Sequence, residues 1–190
     1  MPSPTRSSDA LRDAALALIA ERGLTTLTLA AVAERAEVSR ATAYREFGDK
    51  DGMIAAIGRA EIARMVAAAY AEVDVFGPVA ETVRAVTLFA LSYLRRHAAF
   101  EYLCRHEPAW LLGIAVAPGE GGSELALVRT VAALAAPVVA LRGGDDLALP
   151  ATEAAEVVVR IVLSHALIRD SGLTDEQVAE TAVRAVVRSD

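Results

Sequence analysis

Between Thr28 and Lys50 the chain carries hydroxyl, guanidinium, phenol and ammonium groups at spacings that put them at the ends and along one side of short helical segments: Thr28, Ser39, Arg40, Thr42, Tyr44, Arg45 and Lys50. All of them can donate hydrogen bonds to anionic oxygens, and the guanidinium and hydroxyl groups also match the donor and acceptor pattern along a base edge. Lys50 is the only lysine in the chain. It stands at the expected start of a helix, where backbone N–H groups also face an anion, so a phosphate contact suits it.

Groups of this kind need rigid elements to aim them, and the intervening residues form a helix-turn-helix pattern. The Thr28 hydroxyl can cap a first helix, on which Leu29, Val32, Ala33 and Ala36 recur at helical spacing. Glu37-Val38 makes a tight break, Ser39 caps again, and a second helix from Arg40 to about Glu46 presents Arg40, Thr42, Tyr44 and Arg45. Upstream, a helix from about Ser8 to Arg22 carries Leu11, Ala14, Ala15, Leu18 and Ile19 on one stripe, and Gly23 stops it. Downstream, Asp49 caps a fourth helix that runs through Met53, Ile57 and Met65 toward Val73. Residues 1–7, with two prolines, read as a flexible arm whose Arg6 can reach DNA.

From about Leu11 to Met53 the chain resembles the DNA-binding domain of the tetracycline-repressor (TetR) family of bacterial regulators. The residues that carry the likeness are Thr28 opening the second helix, the Val32-Ala33 pair, the Val38-Ser39 entry to the recognition helix, Tyr44, Phe47, and Lys50 opening the fourth helix. Two positions depart from the pattern. Glu37 stands where the family usually has Gly, so a side chain must take a left-handed turn at a cost of about 1 kcal/mol, and Glu46 stands where it often has His. Both are expected to place negative charge near the DNA face.

The resemblance implies an all-α subunit of about nine helices. Residues 8–55 would be a helix-turn-helix DNA-binding domain, with the motif at about 29–47, and residues 56–190 a helical ligand-binding and dimerisation domain. It further implies a homodimer through the last two helices, bound to double-stranded operator DNA and acting as a ligand-responsive regulator, a repressor released by a small, largely apolar effector. Thr28, Tyr44 and Lys50 would then hold phosphates, with Ser39 at the helix entry, while Arg40, Thr42 and Arg45 face base edges.

Composition fits that picture within limits. The chain of 190 residues is 54% hydrophobic with mean hydropathy +0.37, much of it Ala, Leu and Val, which favours packed helices. A net charge of −6 excludes binding to nucleic acid by bulk basicity. Through residue 50, 7 basic and 7 acidic residues balance, so the rest of the chain carries the whole deficit. The single cysteine, Cys104, excludes an internal disulfide and fits a reducing compartment; with no signal-peptide pattern and no uninterrupted membrane-length apolar run, a cytoplasmic protein with no membrane partner is expected.

The remaining chain reads as helices separated by clear breaks. Phe76-Gly77-Pro78 precedes a helix from Val79 to about Arg96 with Val83, Val86, Ala90, Tyr93, Leu94 and His97 on one stripe; a shorter one spans Ala98 to Arg105, and Pro108 redirects the chain into a turn or two over Ala109 to Val116. After the Pro118 to Gly122 loop, Ser123 opens a helix that Pro137 kinks or ends, and Gly143 to Asp146 form a further break. Pro150 leads into a helix from about Ala151 to Asp170, with Ile168 on its apolar arc and Gly172 ending it, and Thr174-Asp175-Glu176-Gln177 is a capping box for the last helix.

In the cavity that the resemblance implies between Pro78 and Leu141, the candidate lining residues are Phe89, Tyr93, Phe100, Tyr102, Trp110 and Leu111, joined by the polar groups of Cys104, His106 and His165. For each, ordinary core packing is the alternative. No charged cluster stands out as a partner for a charged ligand, which points to a neutral or lipophilic molecule. Cys104-Arg105-His106, between Glu101 and Glu107, has metal-ligand residue types but lacks the paired spacing of zinc sites, so no metal and no cofactor is expected. His97, His106 and Cys104 lack a nucleophile-base signature, so an enzyme is not expected either. The competing class is a helical small-molecule-binding protein with weak or lost DNA binding, for which Glu37 and Glu46 are the motive.

Overall fold

The computed structural model describes residues 4–116, 131 and 146–188. Among them the chain is helical throughout: α1 (Pro4–Arg22), α2 (Leu29–Arg35), α3 (Arg40–Phe47), α4 (Lys50–Glu72), α5 (Val79–Arg96), α6 (Ala98–His106), α7 (Pro108–Val116), α8 (Ala151–Leu167) and α9 (Asp175–Val186). The only extended pairing among these residues is an isolated antiparallel bridge between Leu147 and Val187. The expected Pro118 to Gly122 loop, the helix opened by Ser123, the break at Pro137 and the Gly143 to Asp145 turn lie outside the described residues. No described helix is long and apolar enough to cross a membrane.

The chain divides into two compact units, residues 1–61 with 97–125, and residues 62–96 with 126–190. In the first, the α1 stripe is the core: Leu11, Ala14, Ala15, Leu18 and Ile19 are buried, and α1 packs against α2 and α6. Val32 and Ala33 from α2, Ala43 and Phe47 from α3, Met53 and Ile57 from α4, and Ala99 and Leu103 from α6 complete it. Each large aliphatic buried this way contributes about 1.5–3 kcal/mol. The packing therefore groups α6 and α7 with the helix-turn-helix, although both follow α5 in the chain.

In the second unit α5 packs against α8 and α9, which also pack on each other. Thr87, Leu91, Ala154, Ala155, Val162, Ala166, Val178, Ala179, Ala182, Val183 and Val186 are buried there. The deepest α5 positions are Thr87 and Leu91 rather than the stripe expected from Val83 to Leu94, whose members are half-buried. Thr87 is tolerated because its hydroxyl donates to the Val83 carbonyl at 2.7 Å. A smaller cluster of Leu147, Ala154 and Val186 holds the segment before α8 against the end of α9.

Three expected boundaries shift. The first helix starts at Pro4 rather than Ser8, so most of the expected arm is helix; proline has no N–H to lose in a first turn. The helical turns expected over Ala109 to Val116 form as α7, which begins one residue earlier at Pro108. The eighth helix stops at Leu167, not Asp170, because Ile168 turns extended at φ −95° and ψ 95°. Gly172 therefore does not end it, and Ile168 is 62% exposed instead of lying on the apolar arc. The Thr174 capping box forms as expected, with the Gln177 N–H donating to Thr174 Oγ1 at 3.3 Å and the Thr174 N–H donating to Gln177 Oε1 at 2.9 Å.

Candidate nucleic-acid interface

The two helices of the motif are fixed by caps at both starts. Thr28 is extended, and its hydroxyl oxygen accepts the Ala31 N–H at 3.1 Å. At the end of α2, Glu37 takes φ 55°, which lets the Val38 N–H reach back to the Ala33 carbonyl at 3.0 Å. That is a helix-terminating turn normally given to glycine, and it is formed here with a side chain in place. Ser39 then caps α3, accepting the Thr42 N–H at 3.1 Å and sharing a 2.8 Å hydrogen bond with the Thr42 hydroxyl. The Arg35 guanidinium braces α2 on α1 by bonding both carboxylate oxygens of Glu21 at 2.6 and 2.8 Å, which holds the Glu21 carboxyl below its usual value.

The recognition helix α3 is anchored on one side and open on the other. Ala43 and Phe47 are buried, while Arg40, Tyr44 and Arg45 are exposed, Tyr44 by 55%. Thr42 is half-buried, and the hydroxyls of Ser39 and Thr28 already serve the caps. Gly48 closes the helix at φ 75°, and Asp49 caps α4 by accepting the Gly52 N–H at 2.7 Å. Lys50, the first residue of α4, donates one ammonium N–H to the Thr25 carbonyl at 3.3 Å, which leaves two more for an incoming anion. The seven residues expected to meet DNA belong to the two caps, to α3 and to the first position of α4.

Glu46 corrects an expectation. Its carboxylate accepts the Ser8 hydroxyl and lies 3.8 Å from the Arg12 guanidinium, so it is directed at α1 and not toward the exposed face of α3. Periodicity shows why: Glu46 is three residues beyond the buried Ala43 and beside Phe47, on the side of α3 that meets α1. Glu37 and Glu46 are both exposed, and Glu46 differs in being engaged by Ser8 and Arg12.

The residues expected to line an effector site fall in both units. Phe89 and Tyr93, on α5, are half-buried with ring centroids 5.8 Å apart, and His165 on α8 lies 3.3 Å from the Asp175 carboxylate. Phe100, Cys104 and Trp110 are half-buried on α6 and α7, Leu111 is buried, and His106 is exposed with its ring 4.5 Å from that of Tyr102. Among the described residues no group of three His, Cys, Asp or Glu is arranged to hold a metal ion.

Three positions that carry the architecture have no local sequence signal. His97 caps α6, accepting the Phe100 N–H on Nδ1 at 3.1 Å, and its Nε2 meets the Glu61 carboxylate at 2.9 Å. Glu107, just past α6, accepts the backbone N–H groups of Leu24 at 2.9 Å and Thr25 at 3.3 Å. Ser8 reaches Glu46 across α1 and α3. Each pair is distant in sequence, so only the packing brings it together.

Residues 11–57 match the family described as bacterial regulatory proteins, tetR family. No curated protein sequence matches the chain. Solved structures share its fold along nearly its whole length. The TetR-family transcriptional repressor QsdR of R. erythropolis is 22% identical, with 96% of this chain and 92% of that one covered at TM-score 0.64. The TetR-family repressor AlkX from a Dietzia strain, implicated in biodegradation of n-alkanes, is 20% identical, with 92% of each chain covered at TM-score 0.66. RolR, solved with resorcinol bound, is 16% identical, with 96% of this chain and 88% of that one covered at TM-score 0.67. Residues 11–57 thus carry the sequence pattern of the tetR family of bacterial regulatory proteins, and the chain shares the fold of solved TetR-family structures over most of its length.

Proposed function

We propose that the protein is a homodimeric, cytoplasmic transcriptional repressor that a small, largely apolar effector releases from its operator. The observation that carries this reading is the anchored recognition helix, with Ala43 and Phe47 buried and Arg40, Tyr44 and Arg45 open to solvent. Residues 8–55 act as the reading head and 56–190 as the effector and dimerisation part. Lys50, Thr28, Tyr44 and backbone groups meet phosphates and set the register, with Ser39 at the helix entry; Arg40, Thr42 and Arg45 face base edges in the major groove. Two copies, paired through α8 and α9, set the recognition helices about 34–36 Å apart to meet successive major grooves.

The effector class rests on half-buried aromatics found in each unit, Phe89 and Tyr93 with His165 in one, Phe100 and Trp110 with Cys104 and the exposed His106 in the other, and on neighbours of the same fold connected with n-alkanes and with resorcinol. An effector releases DNA only through higher affinity for a dimer whose recognition helices are wrongly spaced. The competing reading, a helical small-molecule-binding protein without DNA binding, retains Glu37 as its motive and loses Glu46, which is engaged with α1.

Selection of duplexes from a random pool, followed by a salt titration of the winner, tests the proposal. Lys50→Ala weakens binding about equally for all sequences and lowers the salt slope by about one, whereas Arg40→Ala relaxes base preference at one position. Failure to enrich any duplex at low salt would sink it.

A further inference from the structure

Thr25, in the turn between α1 and α2, is held from two sides. Its backbone N–H and its hydroxyl lie 3.3 and 3.4 Å from Glu107 Oε1, which also accepts the Leu24 N–H at 2.9 Å. Its carbonyl accepts the Lys50 ammonium at 3.3 Å. Glu107 is itself fixed at the end of α6, where its N–H bonds the Leu103 carbonyl at 2.9 Å. Gly23 leaves room for the carboxylate, since a Cβ at that position would run into both Glu107 and Tyr102. One carboxylate at the end of α6 therefore holds the residue whose carbonyl accepts the only lysine of the protein.

From this we infer that Glu107 is a positioning residue for Lys50: the end of α6 sets where the ammonium group sits at the start of α4. The contact stands on the geometry, and its consequence for DNA rests on the function proposed above. Phe100 and Cys104 lie on the same helix, so a change in the placement of α6 reaches Lys50 through Glu107 and Thr25 without passing along α4. Charge and position give opposite signs. By charge alone, removing an acidic group near a phosphate-holding lysine strengthens DNA binding. A positioning role makes Glu107→Ala weaken it, and makes Glu107→Gln restore it, because the amide oxygen still accepts the two backbone N–H groups.

Because Lys50 is unique, the full-length protein grown with 13C-lysine gives one ε-methylene signal that reports its surroundings directly. That signal is to be compared among wild type, Glu107→Ala, Glu107→Gln and Glu107→Asp, alongside salt titrations of each on a random-sequence duplex. The Ala variant is expected to shift and narrow the signal toward that of free lysine and to lower the salt slope by up to about one, the share of one phosphate. The Gln variant returns both to the wild-type values, and the Asp variant, one methylene short, shows the Ala behaviour should the Ala protein not fold. An unchanged lysine signal in the folded Ala or Asp protein overturns the positioning role whether or not the protein binds DNA. A shifted signal with duplex affinity raised in Glu107→Ala, while Lys50→Ala still lowers the slope, overturns the link to DNA and leaves the DNA-binding reading intact. Absence of duplex binding by the wild type fails that reading, and the lysine signal still decides the role of Glu107.

Discussion

The Ser8 hydroxyl donates to the Glu46 carboxylate, tying the first turns of α1 to the last turn of the recognition helix, with the Arg12 guanidinium 3.8 Å from the same oxygen. Ser8 is a buried polar residue, so its partner determines whether that burial is tolerated. Ser8→Ala and Glu46→Ala are each expected to lower stability by about 1 kcal/mol, the usual net size of a hydrogen bond, because the exposure of Glu46 keeps this one below the range for buried charged groups. Urea unfolding of the two single variants and the double variant checks this: the double loss falls well short of the sum of the two single losses if the pair acts as a unit. Full additivity would separate Ser8 from Glu46.

Glu37 makes the opposite case, a side chain where the backbone favours none. At φ 55° it occupies the left-handed region, which costs about 1 kcal/mol, part of which glycine forfeits again through the entropy of the unfolded chain. Glu37→Gly is therefore expected to raise stability by about 0.5 kcal/mol, the difference between those two effects. It also removes an exposed negative charge two residues before the α3 cap, so duplex affinity rises and the gain shrinks with added salt. Thermal unfolding and a duplex titration at two salt concentrations read both effects, and a loss of stability contradicts the assignment of strain.

The pairing of Glu21 with Arg35 gives the fold a defined acid dependence. The Arg35 hydrogen bonds lower the Glu21 pKa from its ordinary 4.5, so between the folded and unfolded values the unfolded chain binds more protons. Stability from this pair is therefore present above the unfolded value and is lost as pH falls through the lowered folded value. Both side chains are well exposed, which keeps the effect small. Arg35→Ala is expected to unfold at lower denaturant than wild type at pH 7, with the gap closing as pH drops below 4.5. A gap that persists unchanged at acid pH assigns the Arg35 contribution to packing.

Local pattern in the sequence was enough to foresee much of this. The stripe Leu11, Ala14, Ala15, Leu18 and Ile19, the caps Thr28, Ser39, Asp49 and Thr174, and the turn at Glu37 all express short-range rules, and the structure reproduces each. What escaped depends on which helices meet. Glu46 points to α1 because α1 lies on that side of α3, and Glu107 matters because α6 packs on α1. The deep positions of α5 are Thr87 and Leu91 because α8 and α9 both cover that face, and an apolar stripe gives its width without its centre. The helix end at Leu167 is not legible in the sequence for a related reason: the extended Ile168 is not marked by any breaker residue.

Gly23 couples the backbone requirement of a turn to the Glu107 contact. It ends α1 at φ 76°, with its N–H bonded to the Ile19 carbonyl at 3.0 Å, and a Cβ there would meet the Glu107 carboxylate and the Tyr102 ring. Gly23→Ala therefore carries two costs, about 1–2 kcal/mol for the left-handed backbone and about 1–3 kcal/mol for overpacking. Only the second depends on Glu107. In a Glu107→Ala background the carboxylate is gone while the backbone strain and Tyr102 remain, so the cost of Gly23→Ala is expected to fall by about 0.5–3 kcal/mol, the usual size of coupling between touching residues. Urea unfolding of the four proteins in that cycle measures it. A Gly23→Ala cost that is the same in both backgrounds means that the carboxylate moves aside freely, and the turn between α1 and α2 is then set by glycine alone.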